Sequence, residues 1–163
     1  MKRHLILSLG VALVALASLP AVASAQRRPL PPFTVASTPG VVVPSSQLNG
    51  AERWLLVYVA PDSVTSERLL RSLDEWAAAD GARVVVVAAG EAPVDPKVRS
   101  LLTASSAAVY ADPDGNAARA LGVTSLPALV GVASGALNWM VQGVLNDPRM
   151  VEPIVRSWLG GQQ

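Results

Sequence analysis

Apolar and polar positions alternate in blocks along this chain, and the period of the alternation changes from block to block. Residues 54–59 (WLLVYV) are apolar at every position, with charge before them and Ala60-Pro61-Asp62 after. A short run of that kind predicts a strand buried on both faces. Over residues 64–79 the period lengthens to three and four. Leu69, Leu70, Leu73, Trp76 and Ala77 share one side, and Glu67, Arg68, Arg71, Asp74 and Glu75 lie between. This pattern predicts an amphipathic helix, capped by Ser63, Thr65 or Ser66 and ending near Asp80-Gly81. Residues 83–89 (RVVVVAA) then predict a second buried, β-branched strand. Strand, helix and strand with short loops favour a parallel pair joined by a right-handed crossover.

Downstream, Asp95-Pro96 opens a helix reaching about Thr103, with proline in its first turn. Residues 107–110 predict a short strand, Asp112-Pro-Asp-Gly115 a turn, and residues 116–121 a short helix closed by Gly122. Residues 128–133 and 137–144 flank Ser134-Gly135 as a hairpin. Residues 148–159 predict a closing helix with Met150, Val151, Ile154, Val155 and Trp158 on its apolar face, and the tail 160–163 should fray. Upstream, residues 33–36 and 41–43 predict two short strands around a Thr-Pro-Gly turn, and Leu48 is the buried foot of a polar loop. Residues 26–32 (QRRPLPP) predict an extended, solvated lead-in. Of the four tryptophans, Trp76 and Trp158 are expected in the core and Trp54 on a buried strand, while Trp139 could be an exposed hairpin residue, although aromatic residues on strands are more often core or half-buried.

The first residues carry a different message. Met1-Lys2-Arg3-His4 is basic, residues 5–19 are apolar, Pro20 breaks the run, and Ala23-Ser24-Ala25 follows. This is the pattern of a secretory signal peptide over residues 1–25, and the run is shorter than the roughly 20 residues of a spanning helix. The expected location is outside the cytoplasm, the periplasm in a Gram-negative host. With Lys2 and Arg3 removed, the formal charge moves from +1 to −1. No basic excess remains for a nucleic-acid partner.

Composition narrows the chemistry further. The chain of 163 residues has no cysteine, and its one histidine, His4, lies in the leader. Thiol–disulfide exchange, cysteine nucleophiles, histidine bases, histidine-held zinc and thiolate clusters are therefore closed to residues 26–163. Asp112-Pro-Asp114-Gly115-Asn116 is loosely like part of a calcium loop, but it lacks the twelve-residue spacing and the closing glutamate. A turn with a helix cap is the better reading. No metal and no cofactor is expected.

The order of elements resembles the thioredoxin-like superfamily, above all the secreted branch of thiol–disulfide oxidoreductases that serve cytochrome c maturation and related periplasmic reduction. The resemblance covers residues 32–159. It rests on Pro32-Phe33-Thr-Val, Val43-Pro-Ser-Ser-Gln-Leu48-Asn-Gly50, Trp54-Leu-Leu-Val-Tyr58-Val59-Ala60, Asp112-Pro-Asp-Gly115, Ala120-Leu-Gly122-Val123, and Thr124-Ser-Leu-Pro127. It implies an α/β thioredoxin-like fold over residues 33–159: a central mixed sheet flanked by helices, with a short N-terminal β extension. Aligned on Tyr58 and Ala60, the Cys-x-x-Cys of that family falls on Ser63-Val64-Thr65-Ser66, and its preceding tryptophan on Asp62. Both cysteine positions are serine. A hydroxyl forms no mixed disulfide, so oxidoreductase activity does not carry over to this chain alone. Pro127 matches the proline that is cis in that family.

These readings leave Ser63 and Ser66 as degenerate active-site positions, and Asp62, Ser63, Val64, Thr65, Ser66, Leu126 and Pro127 as a candidate groove for an extended protein segment. Serine needs an adjacent base to act as a nucleophile, and Asp62 is a weak one, while the lone downstream lysine, Lys97, is in a different loop. Helix capping is the simpler role. The expected function is a redox-inactive binding adaptor or chaperone of the cell envelope. The alternatives are an accessory of a thiol–disulfide pathway whose cysteines come from a partner, and a structural subunit contacting its complex through the lead-in or the Trp139 hairpin.

Overall fold

The computed structural model describes residues 28–78, 80, 83–143 and 147–160. The expected signal peptide and the tail beyond Gly160 lie outside these residues, as does the expected stop at Gly81.

The buried run folds into the strand that the rest is built on. β1 (Arg28–Pro29), β2 (Thr34–Thr38) and β3 (Val41–Pro44) precede β4 (Arg53–Val59). After it come α1 (Val64–Trp76), β5 (Val84–Ala89), α2 (Pro96–Ser100), β6 (Ala108–Asp112) and α3 (Asn116–Leu121). The chain closes with β7 (Ala128–Ala133), β8 (Ala136–Gln142) and α4 (Glu152–Gly160). All eight strands form one mixed sheet in the order β1-β8-β7-β4-β5-β6-β2-β3. β4 pairs parallel with β5 and antiparallel with β7, and β5 pairs parallel with β6.

Every residue from Leu55 to Val59 is at most 2% exposed. Alternation sends Leu55, Val57 and Val59 to one face, where they meet Leu69, Leu70 and Leu73 of α1 and Val155 and Leu159 of α4. Trp54, Leu56 and Tyr58 go to the other, with Phe33, Leu48 and, from α3, Ala117 and Leu121. Burying each such aliphatic side chain contributes about 1.5–3 kcal/mol, which is why an uninterrupted apolar run is committed to the middle of a sheet. The remaining elements supply turns that their residues demand. Ser134 (φ 50) and Gly135 (φ 71) are both left-handed, as a two-residue hairpin loop requires.

Three expectations are corrected. Residues 28–32 are extended, but they belong to the domain instead of leading into it. Arg28 and Pro29 pair with Leu137 and Ala136, Leu30 N–H donates to the Gly135 carbonyl, and the Arg28 guanidinium donates to the Leu121 carbonyl at 2.6 Å, capping α3. The closing helix is split. A 3-10 turn spans Pro148–Met150, and α4 starts only at Glu152. Pro153 tolerates only the first turn of a helix, because its ring excludes the carbonyl four residues back. The buried stripe becomes Val151, Val155 and Leu159, while Met150 and Ile154 are 76% and 44% exposed. Finally, α2 stops at Ser100, short of Thr103.

Asp74 accounts for that early stop. The carboxylate is buried on α1 and accepts hydrogen bonds from the N–H groups of Ala104 and Ser105, at 2.8–3.0 Å. These bonds hold the chain after Leu102 in a loop that a continued helix would abolish. Burial pushes the Asp74 carboxyl up, but the amides of Ala104 and Ser105 outweigh it and hold it below the usual aspartate range. A depressed value stabilises the fold at pH above the unfolded aspartate value of about 3.9, and the contribution disappears as pH falls through the folded value. Asp74→Ala is expected to cost about 1–3 kcal/mol at pH 7, since the Ala104 and Ser105 amides lose their acceptor. In urea unfolding the deficit should persist down to about pH 5 and narrow below about pH 4.

Candidate functional site

β4 delivers the chain to a loop at the end of the sheet, and serine chemistry shapes that loop. Ser63 is the N-cap of α1, with extended backbone; its Oγ accepts from Ser66 N–H at 3.3 Å and lies 2.7 Å from Thr65 Oγ1. Ser66 is 1% exposed, and its Oγ accepts from the Ala60 N–H at 3.2 Å. The two serines thus tie the loop to the helix it enters. Asp62 is exposed, and Val64 presents 63% of its surface to solvent.

The second half of the candidate groove arrives by strand register. Ala128 is opposite Tyr58, so the chain entering β7 lies beside the chain leaving β4. The Leu126–Pro127 peptide is cis, and the Pro127 carbonyl accepts from Gly143 N–H at 3.2 Å. Thr124 N–H is held by Gln142 Oε1 at 2.9 Å. Leu126 is half-buried, and among the described residues its backbone N–H and C=O make no hydrogen bond. Asp62 to Ser66 and Leu126-Pro127 therefore converge on one end of the sheet, although no hydrogen bond joins the two loops among the described residues.

The fold moves Lys97 from a distant loop onto the first turn of α1. Its Nζ lies 2.9 Å from Glu67 Oε2, and Glu67 Oε1 also accepts from Arg71 at 2.9 Å. The hydrogen bond from Glu67, with its charge, raises the Lys97 pKa; those from Lys97 and Arg71 lower that of Glu67. A lysine held as ammonium is no base for Ser63. Next to this pair, Asp62, Glu91 and Asp95 line a shallow cleft of about 440 Å³ with Pro61, Pro93 and Pro96. No group of three acidic, histidine or cysteine side chains among the described residues could hold a metal ion.

The Asp112-Pro-Asp114 turn also has a different role from a ligand loop. Asp112 is 2% exposed, and its Oδ2 accepts from Tyr58 Oη at 2.8 Å and from Ala118 N–H at 3.1 Å; Oδ1 is buried with no partner among the described residues. The pair locks the ends of β4 and β6 to α3. No spacing rule joins residues 54 positions apart, so the only clue to it was a polar tip, Tyr58, inside an otherwise apolar run. Burial first, then the hydrogen bond to Asp112, push the Tyr58 pKa far above the ordinary tyrosine range.

With this geometry established, the comparisons place the fold. A secreted Mycobacterium tuberculosis disulfide oxidoreductase homologous to E. coli DsbE is 19% identical, with a TM-score of 0.59, over 80% of this chain and 96% of that one. An uncharacterized thioredoxin-like protein from Porphyromonas gingivalis is 21% identical at a TM-score of 0.60, over 82% and 94% of the two chains. The exposed lipoprotein thioredoxin of Streptococcus pneumoniae is 18% identical at 0.56, over 77% and 98%. No family model and no curated protein matches the sequence. The chain has a thioredoxin-like fold, and it has no cysteine to place in that fold. No helix among the described residues is long and apolar enough to cross a membrane.

Two outcomes are expected. Ser66→Ala leaves the Ala60 N–H without its acceptor and should cost about 1–3 kcal/mol in denaturant unfolding, with the helix content unchanged by circular dichroism. A raised tyrosine pKa means that the unfolded chain ionises first. Stability should be full below about pH 10 and fall as pH rises above it. Tyr58→Phe should remove that alkaline slope and lower stability at pH 7, where Asp112 loses a donor.

Proposed function

We propose that this protein is a redox-inert thioredoxin-like module that holds an extended segment of another protein in the cell envelope. The observation that carries the reading is a mismatch between scaffold and chemistry. The sheet end keeps a capped helix and the Leu126–Pro127 turn, and among the described residues the backbone groups of Leu126 are unengaged. The two positions that would carry sulfur are serines spent on structural hydrogen bonds. Among the described residues the Leu126 N–H and C=O are unbonded, and Val64 is exposed at the same end of the sheet; both suit the addition of a peptide strand, in which the main chain gives affinity and side-chain pockets give selectivity. The envelope location is supported by the sequence of residues 1–25 and by the secreted relative.

A second reading draws on the likeness to a disulfide oxidoreductase: the module presents a substrate to a partner that supplies the thiols. It uses the same groove and predicts that the captured partner contains a reactive cysteine.

The test is capture in the native host. The tagged chain and a Ser63→Arg/Leu126→Arg variant of confirmed folding are exported, cross-linked and compared by mass spectrometry. A partner held by the native chain and lost by the variant is the expected result. A partner held equally by both places the interface elsewhere and refutes the groove.

A further inference from the structure

The border of the sheet at β8 offers a second surface. β1 covers only Ala136 and Leu137 of the seven residues of β8. Gly143 N–H bonds to the Pro127 carbonyl, and antiparallel alternation from that pair turns the N–H and C=O of Gln142 and Met140 away from β7. Among the described residues no strand takes these groups. Two residues at i and i+2 with outward donors and acceptors form a template for a further strand. The chain already uses this edge in the same way, since Arg28–Pro29 adds to it antiparallel and Leu30 N–H reaches the Gly135 carbonyl.

Beside the edge lies an aromatic cleft of about 530 Å³, lined by Arg53, Trp139, Pro153, Ile154, Ser157 and Trp158. Its walls are fixed. The two indoles meet edge to face with centroids 5.7 Å apart, and Trp158 Nε1 donates to the Trp54 carbonyl at 2.9 Å. Trp139 lies over Gly131, where its indole leaves no room for a Cβ. Ile154 leaves 44% of its surface exposed at the rim. The Arg53 guanidinium stacks 4.9 Å from the Trp158 ring centroid and forms no ion pair among the described residues. A cation over an apolar floor is thus left uncompensated, with only Glu52 sharing the adjoining hollow.

We infer that the open part of β8 and this cleft together bind an extended segment of another protein. The segment adds as a strand along residues 138–142, continuing the edge that β1 begins. One of its alternate side chains, aliphatic or aromatic, enters the cleft, and a carboxylate faces Arg53. The surface adjoins the Leu126–Pro127 groove at Gln142 and Gly143, and Met140 and the Trp158 indole are the positions that distinguish it from that groove.

The test uses the ¹⁵N-labelled protein purified from an exporting host. Two blocked eight-residue peptides of alternating threonine and valine with a central leucine serve as probes, one carrying an aspartate and the other a lysine. The aspartate peptide should shift the backbone amides of Met140 and Gln142 and the indole N–H of Trp158, and bind about tenfold tighter than the lysine peptide. Arg53→Gln should remove that preference. Met140→Pro deletes an outward N–H without touching the β7–β8 ladder and should abolish the shifts. Ile154→Glu, at an exposed position, provides the same loss should the proline variant fail to fold. Shifts confined to Leu126 and Val64, no shifts on β8 at millimolar peptide, or a peptide-independent dimer burying Met140 and Gln142 would each overturn the inference.

Discussion

The burial of β4 on both faces is the constraint from which the rest of the structure follows. A strand apolar at every position needs two cores, so the chain must place something over each side. α1 and α4 cover one face through leucine and valine stripes. α3, Phe33 and Leu48 cover the other. Even the N-terminal extension answers to this demand, because Phe33 and Val35 complete the second core and draw residues 28–32 onto the sheet. Tyr58 is the exception inside the run, and its hydroxyl is compensated by the Asp112 carboxylate.

The same strand decides where chemistry could occur. Its C-terminal end, the start of α1 and the turn into β7 meet at one end of the sheet by register alone. In this chain the residues at that meeting point are committed to structure. Ser63 caps a helix, Ser66 anchors Ala60, and Lys97 is spent on Glu67. Ser63 spends its oxygen on the helix cap and Lys97 is held as the ammonium by Glu67, so recognition is the role we propose for this end of the sheet. Backbone groups at Leu126 and surface at Val64 are the features left for a partner to use.

Local pattern and long-range geometry were unequally legible in the sequence. Buried strands announce themselves through unbroken β-branched runs, and α1 through its period, because each signal sits within a dozen neighbouring residues. The hairpin at Ser134-Gly135 was legible for the same reason. The split before α4 was written in Pro153, but it was masked by an apolar period that ran straight through it. The pairing of Arg28–Pro29 with β8 had no local signature, since a proline-rich segment reads as solvated until an open edge is known to lie beside it. Asp112 does close the turn to Gly115 and accept from Ala118 of α3, as its motif reads, but its bond to Tyr58 and that of Lys97 to Glu67 were not legible, because those partners are far away in sequence. Within the candidate site the seven residues were nameable from the order of motifs. Their division of labour, with Ser66 buried and Val64 exposed, depends on the phase of α1 against β4, which emerges only on packing.

Hydrogen exchange of the backbone amides, with and without a captured partner, tests the central claim most directly. Leu126 N–H has no acceptor among the described residues and should exchange rapidly in the free protein. In the complex, the segment that contains Leu126 and the loop of residues 61–66 should both become protected, as a strand added to the groove requires. A partner that binds stably while Leu126 continues to exchange at its free rate would contradict the account.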